Sequence, residues 1–117
     1  MKRLDGIRAT GVQDFSTVIE NGDSIKITLS YNAAIQSFDF DLEWQDFVLK
    51  GNRIYSSPNL LSQYKNIIPF GLAVITEGTG DPFLINDFAK DRANIYILSL
   101  DEVQEVSDYY TGLRDAG

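Results

Sequence analysis

The chain contains neither cysteine nor histidine. The first absence excludes disulfides, thiolate metal sites and thiol nucleophiles, and suits folding in a reducing cytoplasm. The second removes the usual general base near neutral pH and the commonest transition-metal ligand. Long apolar runs are missing as well, and no stretch approaches the roughly 20 residues that a membrane span needs. The opening Met1-Lys2-Arg3-Leu4-Asp5-Gly6 is basic but lacks the apolar run of a secretory signal, so a soluble, uncleaved protein is expected. Bases are scarce: 10 Lys and Arg stand against 17 Asp and Glu, a formal charge of −7. That sign opposes binding to nucleic-acid phosphates, where cationic side chains must release condensed counterions.

What is present suits one folded domain. The 117 residues are 44% hydrophobic and include seven Phe, six Tyr and one Trp. Burying such side chains offsets the conformational entropy of ordering the chain. From Ser24 to Tyr31, Ile25, Ile27, Leu29 and Tyr31 alternate with polar residues, the period of a half-buried strand. Asn21-Gly22 supplies a tight turn that pairs this strand with the run Phe15 to Ile19. A second alternation places Phe38, Phe40, Leu42 and Trp44 on one face and Asp39, Asp41 and Glu43 on the other.

Phe47-Val48-Leu49 runs to Lys50-Gly51-Asn52, which predicts a further hairpin or a bulged strand. Ser57-Pro58 predicts the start of a helix of about two turns that ends before Pro69. Phe70 to Thr76 and Asn94 to Leu100 have strand length and composition, and Asp101 is placed to cap a final helical turn or two. The expected fold is mainly β, a small antiparallel β-barrel or sandwich with one or two short helices. Its expected parts are an N-terminal arm over 1–13, a β-rich domain over 14–107 and a C-terminal tail over 108–117.

Few residues carry a chemical signal. Asp39, Asp41 and Glu43 share a strand face and could approach a hard cation, but the plainer expectation is a solvated face opposite the aromatic stripe. Gly78-Thr79-Gly80-Asp81-Pro82 lacks the Lys and Ser or Thr of a phosphate-cradling loop and reads as a turn. No acid pair stands out for glycoside hydrolysis. Asn86-Asp87-Phe88 and Arg92 suggest local hydrogen bonding and an ion pair. Tyr109 and Tyr110 are candidate interface aromatics. No catalytic residue, cofactor or metal ligand is identified, and the protein is expected to act by assembling with others.

A strand ending in Leu29-Ser30-Tyr31-Asn32, a gap to Phe38, and Phe40-Asp41-Leu42 open a recognisable series. Gly51, Ile54, Leu60-Leu61, Gly71-Leu72, Asp81-Pro82, Asn86-Asp87-Phe88, Ile95-Tyr96-Ile97-Leu98 and Glu102 continue it. Over about residues 15 to 102 the chain resembles the baseplate plug family of contractile-tailed bacteriophages, although that family tends to carry Trp at the position of Phe38. The resemblance implies a structural protein of the virion tail baseplate, made in the host bacterial cytoplasm. It further implies a place near the central hub and the tail-tube start, in several symmetry-related copies. The implied partners are the hub, the tail-tube initiator and the tape measure, with no specific nucleic-acid binding and no membrane span. Asp39, Asp41 and Glu43 then become candidates for an acidic lumen face or a docking face. A local alternative exists in Ile67-Ile68-Pro69-Phe70-Gly71 and Gly80-Asp81-Pro82-Phe83, similar to immunity and antitoxin proteins that neutralise a toxin through an acidic face. Members of that superfamily usually begin with helices, whereas strands come first here.

Overall fold

The computed structural model describes residues 1–78 and 80–116, with side chains through Tyr109. Among the described residues seven strands form two antiparallel sheets. β2 (Val12–Val18), β3 (Ser24–Asn32), β4 (Ser37–Trp44) and β5 (Phe47–Arg53) follow one another in the first. β1 (Lys2–Arg3), β7 (Ala93–Leu98) and β6 (Gly71–Thr76) make the second, in that order. The sheets do not close into a barrel, so the architecture is a sandwich. A helix, α1 (Leu100–Ala116), covers the outer side of the smaller sheet.

The period-two pattern dictates the core. Tyr31 pairs with Phe38, Leu29 with Phe40 and Ile27 with Leu42, so the apolar side chains of β3 and β4 fall on one face. Leu72, Val74, Ile95 and Ile97 of the smaller sheet meet them in a single cluster. Full burial of each such side chain contributes about 1.5–3 kcal/mol. Ala73, Leu98 and Val103 form a second cluster on the opposite side of the smaller sheet, with Tyr96 and Val106 packed against it.

The turns follow local chemistry. Between β2 and β3, Ile19 N–H donates to Asp23 O (2.9 Å), enclosing Glu20, Asn21 and Gly22. Gly22 has φ +94°, and Asn21 Oδ1 accepts from Asp23 N–H (2.9 Å), so this is a three-residue loop with glycine at the positive-φ position. Lys50-Gly51-Asn52 proves to be a bulge inside β5 and not a hairpin turn, which lies at Gln45-Asp46. Pairing shifts between Phe40 and Leu42, Gly51 takes φ +63°, and Asp41 Oδ1 accepts from Gly51 N–H (2.7 Å).

Two expectations need correction. No two-turn helix follows Ser57-Pro58; a 3-10 turn at Ser62–Tyr64 is the only helical element there among the described residues. The backbone is instead spent on the free edge of β6: Ser57 and Val74 exchange N–H···O bonds (3.0 and 2.9 Å), and Leu60 N–H donates to Leu72 O (2.7 Å). The final helix runs from Leu100 to Ala116, longer than a turn or two, and Ser99 caps it in place of Asp101. Ser99 Oγ accepts from Glu102 N–H (3.2 Å) while Glu102 Oε1 accepts from Ser99 N–H (3.0 Å), a reciprocal capping box. The N-terminal segment is tied into its own chain, since Lys2 and Arg3 pair with Ile97 and Tyr96 and Leu4 is buried.

Buried Asn59 organises the β6 edge. Its Oδ1 accepts from Leu61 N–H (3.0 Å) and Leu72 N–H (3.2 Å). A Cβ on Gly71 would lie 2.6 Å from that oxygen. Gly71→Ala is therefore expected to destabilise the fold by about 2 kcal/mol, because Asn59 cannot yield without orphaning two N–H groups. Urea unfolding of the variant measures this.

Candidate functional site

Asp39, Asp41 and Glu43 do share the outer face of the larger sheet, but the register gives each a neighbour. Asp39 stands between Ser30 and Arg53, and Glu43 between Lys26 and Val48. Asp41 stands opposite Thr28 and holds the β5 bulge through Gly51. Asp14 of β2 joins the row and accepts from Thr28 Oγ1 (2.7 Å). The face is thus polar and mixed in charge, milder than the β4 sequence suggests. Among the described residues no group of three His, Cys, Asp or Glu is placed to hold a metal ion. No helix among them is long and apolar enough to cross a membrane. Tyr109 lies on α1 with 65% exposure, and the Tyr110 side chain lies outside the described residues.

A more strongly built surface lies in the loop between β6 and β7. Phe83, Leu84 and Ile85 are consecutive and expose 43%, 41% and 38% of their surfaces. Asp87, only 2% exposed, holds them in place. Its Oδ2 accepts from the backbone N–H groups of Phe83 and Leu84, both at 2.8 Å. Arg92 clamps the same carboxylate twice, Nε to Oδ1 at 2.9 Å and Nη2 to Oδ2 at 3.1 Å. It also donates to Asp81 O (3.1 Å), and its Cζ lies 4.8 Å from the Phe83 ring centroid.

Burial pushes the Asp87 carboxyl up, but the Arg92 hydrogen bond and the Leu84 and Phe83 N–H groups outweigh it and hold its pKa below the usual value. A charged, bidentate brace of buried Asp87 and partly exposed Arg92 fixes the backbone of Phe83 and Leu84, next to Ile85, at the surface. Tyr31 Oη donates to Phe83 O (2.7 Å), and Tyr31, Phe38 and Phe88 stack beneath, with ring centroids 4.8 and 4.9 Å apart. Beside this knuckle a groove of about 290 Å3 runs between Ile35, Arg53, Ile54 and Pro82.

Asp87 and Arg92 are legible in the sequence as local partners, whereas nothing in it singles out Phe83-Leu84-Ile85 as exposed. The available signal was three apolar residues in a row inside a loop, directly after Asp81-Pro82 and before an acid–base pair. Asp81 is itself engaged, its Oδ1 accepting from Ser56 N–H (2.9 Å), so the Asp-Pro turn is stapled to the segment after β5. Thr79, in the same turn, lies outside the described residues. The site offers exposed apolar area beside a charged brace.

No curated protein matches the chain. The family model described as the cyanophage baseplate Pam3 plug gp18 matches residues 1–101, which takes in both sheets, the braced loop and the start of α1. The chain belongs to this baseplate plug family, whose members are structural parts of a bacteriophage tail.

Proposed function

We propose that the protein is built into the baseplate of a contractile tail near the central hub and the tail-tube start, in several symmetry-related copies, and catalyses nothing. Its neighbours in this reading are the hub, the tail-tube initiator and the tape measure. The observation that carries it is the knuckle: exposed Phe83, Leu84 and Ile85 on a loop rigidified by Asp87 and Arg92. Apolar and aromatic anchors that are ordered before binding lose little entropy on docking, which is how a permanent joint gains strength. Tyr109, exposed on α1, is a further candidate anchor.

The outer face of the larger sheet has the opposite character. Asp14, Asp39, Asp41 and Glu43 outnumber Lys26 and Arg53 on it, among Ser16, Ser24, Thr28 and Ser30, with Val12, Val18 and Val48 as its exposed apolar residues. Such a face, on a chain of charge −7, repels DNA phosphates and suits the wall of a passage for the genome. Complementation of a phage lacking this gene tests both parts. Leu84→Asp with Ile85→Asp is expected to leave a folded protein that mass spectrometry no longer finds in purified particles. Asp39→Lys with Glu43→Lys is expected to be incorporated normally and to slow DNA delivery. Loss of incorporation in the second variant would make the acidic face a docking face. Normal incorporation of the first would overturn the knuckle's role.

A further inference from the structure

Every β-sheet ends in strands with unpaired backbone groups, and proteins blunt such edges with bulges, lysines, short length or a covering segment. Three of the four edges here are blunted. β6 is covered by Ser57 and Leu60, β1 is two residues long and basic, and β5 carries the Gly51 bulge with exposed Lys50 and Arg53 beside it. β2 has no bulge and no backbone cover among the described residues, and the one lysine that touches it, Lys2, reaches Thr17 Oγ1 (3.1 Å) by its side chain from β1 and leaves the edge backbone open. It runs unbroken from Val12 to Val18 in full register with β3, without Pro, Gly, Lys or Arg.

The outward groups of β2 follow from its pairing. Tyr31 N–H donates to Gly11 O (2.8 Å) and Ile19 N–H to Asp23 O (2.9 Å), so the odd-numbered residues bond to β3. The N–H and C=O groups of Val12, Asp14, Ser16 and Val18 therefore point away from the sheet. On the outer face, Val12 and Val18 are 65% and 51% exposed at the two ends, with Asp14 and Ser16 between them.

We propose that β2 pairs antiparallel with β2 of a second copy about a two-fold axis at Phe15. In that register the outward groups of both strands meet, giving about eight inter-strand hydrogen bonds. Val12 falls beside Val18 of the second copy and Asp14 beside its Ser16, whose hydroxyl can donate to the carboxylate. Ser16 is small, and its register neighbour Lys26 on β3 can reach over it toward Asp14 of the second copy. Shifting the axis to Asp14 would put the two carboxylates together, and shifting it to Ser16 would leave Val12 beyond the end of the second strand, so charge and overlap together favour the Phe15 register. The edge is thus self-complementary in shape, hydrogen bonding and charge, and the product is one continuous sheet of eight strands across two chains. The proposal rests on this edge alone and is independent of the chain's neighbours in the tail.

Sedimentation of the full chain tests it. The wild type is expected at twice 13.1 kDa. Ser16→Glu, an exposed change that sets a second acid beside Asp14 at both symmetry-related positions, is expected to weaken the dimer by at least about tenfold while circular dichroism stays unchanged. Adding Asp14→Lys to it pairs Lys with Glu across the axis and is expected to restore the dimer. A monomeric wild type at about 100 μM, or a dimer indifferent to Ser16→Glu, would overturn the proposal.

Discussion

Asp87→Ala is expected to destabilise the protein by about 3 kcal/mol and to lower its melting temperature by roughly 10 °C. The carboxylate is buried and serves two backbone N–H groups and the Arg92 fork at once. Its removal leaves the Phe83 and Leu84 N–H groups without an acceptor, and water can reach the partly exposed Arg92 more easily than it can reach them. The loss should therefore be concentrated in the loop, with hydrogen exchange accelerated at residues 83–87 before the strands. Acid gives the matching result. Because the folded-state pKa of Asp87 is depressed, its contribution is fully present above the unfolded value of about 4 and is lost as pH falls through the lower folded value. Glu102 has a depressed pKa as well: burial pushes it up, and the Met1 amino group at 2.7 Å together with Ser99 outweighs that. Urea unfolding followed from pH 7 downward should show stability falling below about pH 4, with a shallower fall in Asp87→Asn.

Phe38→Ala should cost about 4 kcal/mol, the largest effect of any single truncation considered, and guanidinium unfolding measures it. Phe38 is 1% exposed, touches Tyr31 and Phe88 edge to face or tilted, and joins β4 to the braced loop. A domain of this size is held by roughly 5–15 kcal/mol, so the variant keeps only a small margin at 37 °C. Val48→Ala, on the outer face of the neighbouring strand, should change stability by less than about 0.5 kcal/mol. The contrast between these two positions tests which face of the larger sheet is the core.

The parts legible in the sequence were those governed by local periodicity. β3 and β4 alternate so regularly that their buried faces and their pairing follow from the pattern, and Asn21-Gly22 marks the hairpin that joins β2 to β3. Ser57-Pro58 misled because its local helix signal is genuine, while the unpaired edge of β6, far away in sequence, competes for the same backbone groups. Ser99 and Glu102 spelled a capping box, but Asp101 presented a rival cap two residues along. The acidic face was visible as a row of carboxylates, whereas its moderation by Lys26 and Arg53 needed the register. The knuckle was hidden for a similar reason, since nothing local distinguishes an exposed apolar triplet from a buried one until Asp87 is seen to hold it outward.

The local likeness to immunity and antitoxin proteins falls on the segment entering β6 and on the braced loop, both of which serve this fold directly. The family match runs instead across the first 101 residues. Cryo-electron microscopy of intact virions tests the baseplate assignment most directly. The expected result is density for the two-sheet sandwich in the baseplate, beside the hub, with Phe83, Leu84 and Ile85 seated against a neighbouring protein. Tails that carry no copy of the chain would contradict it.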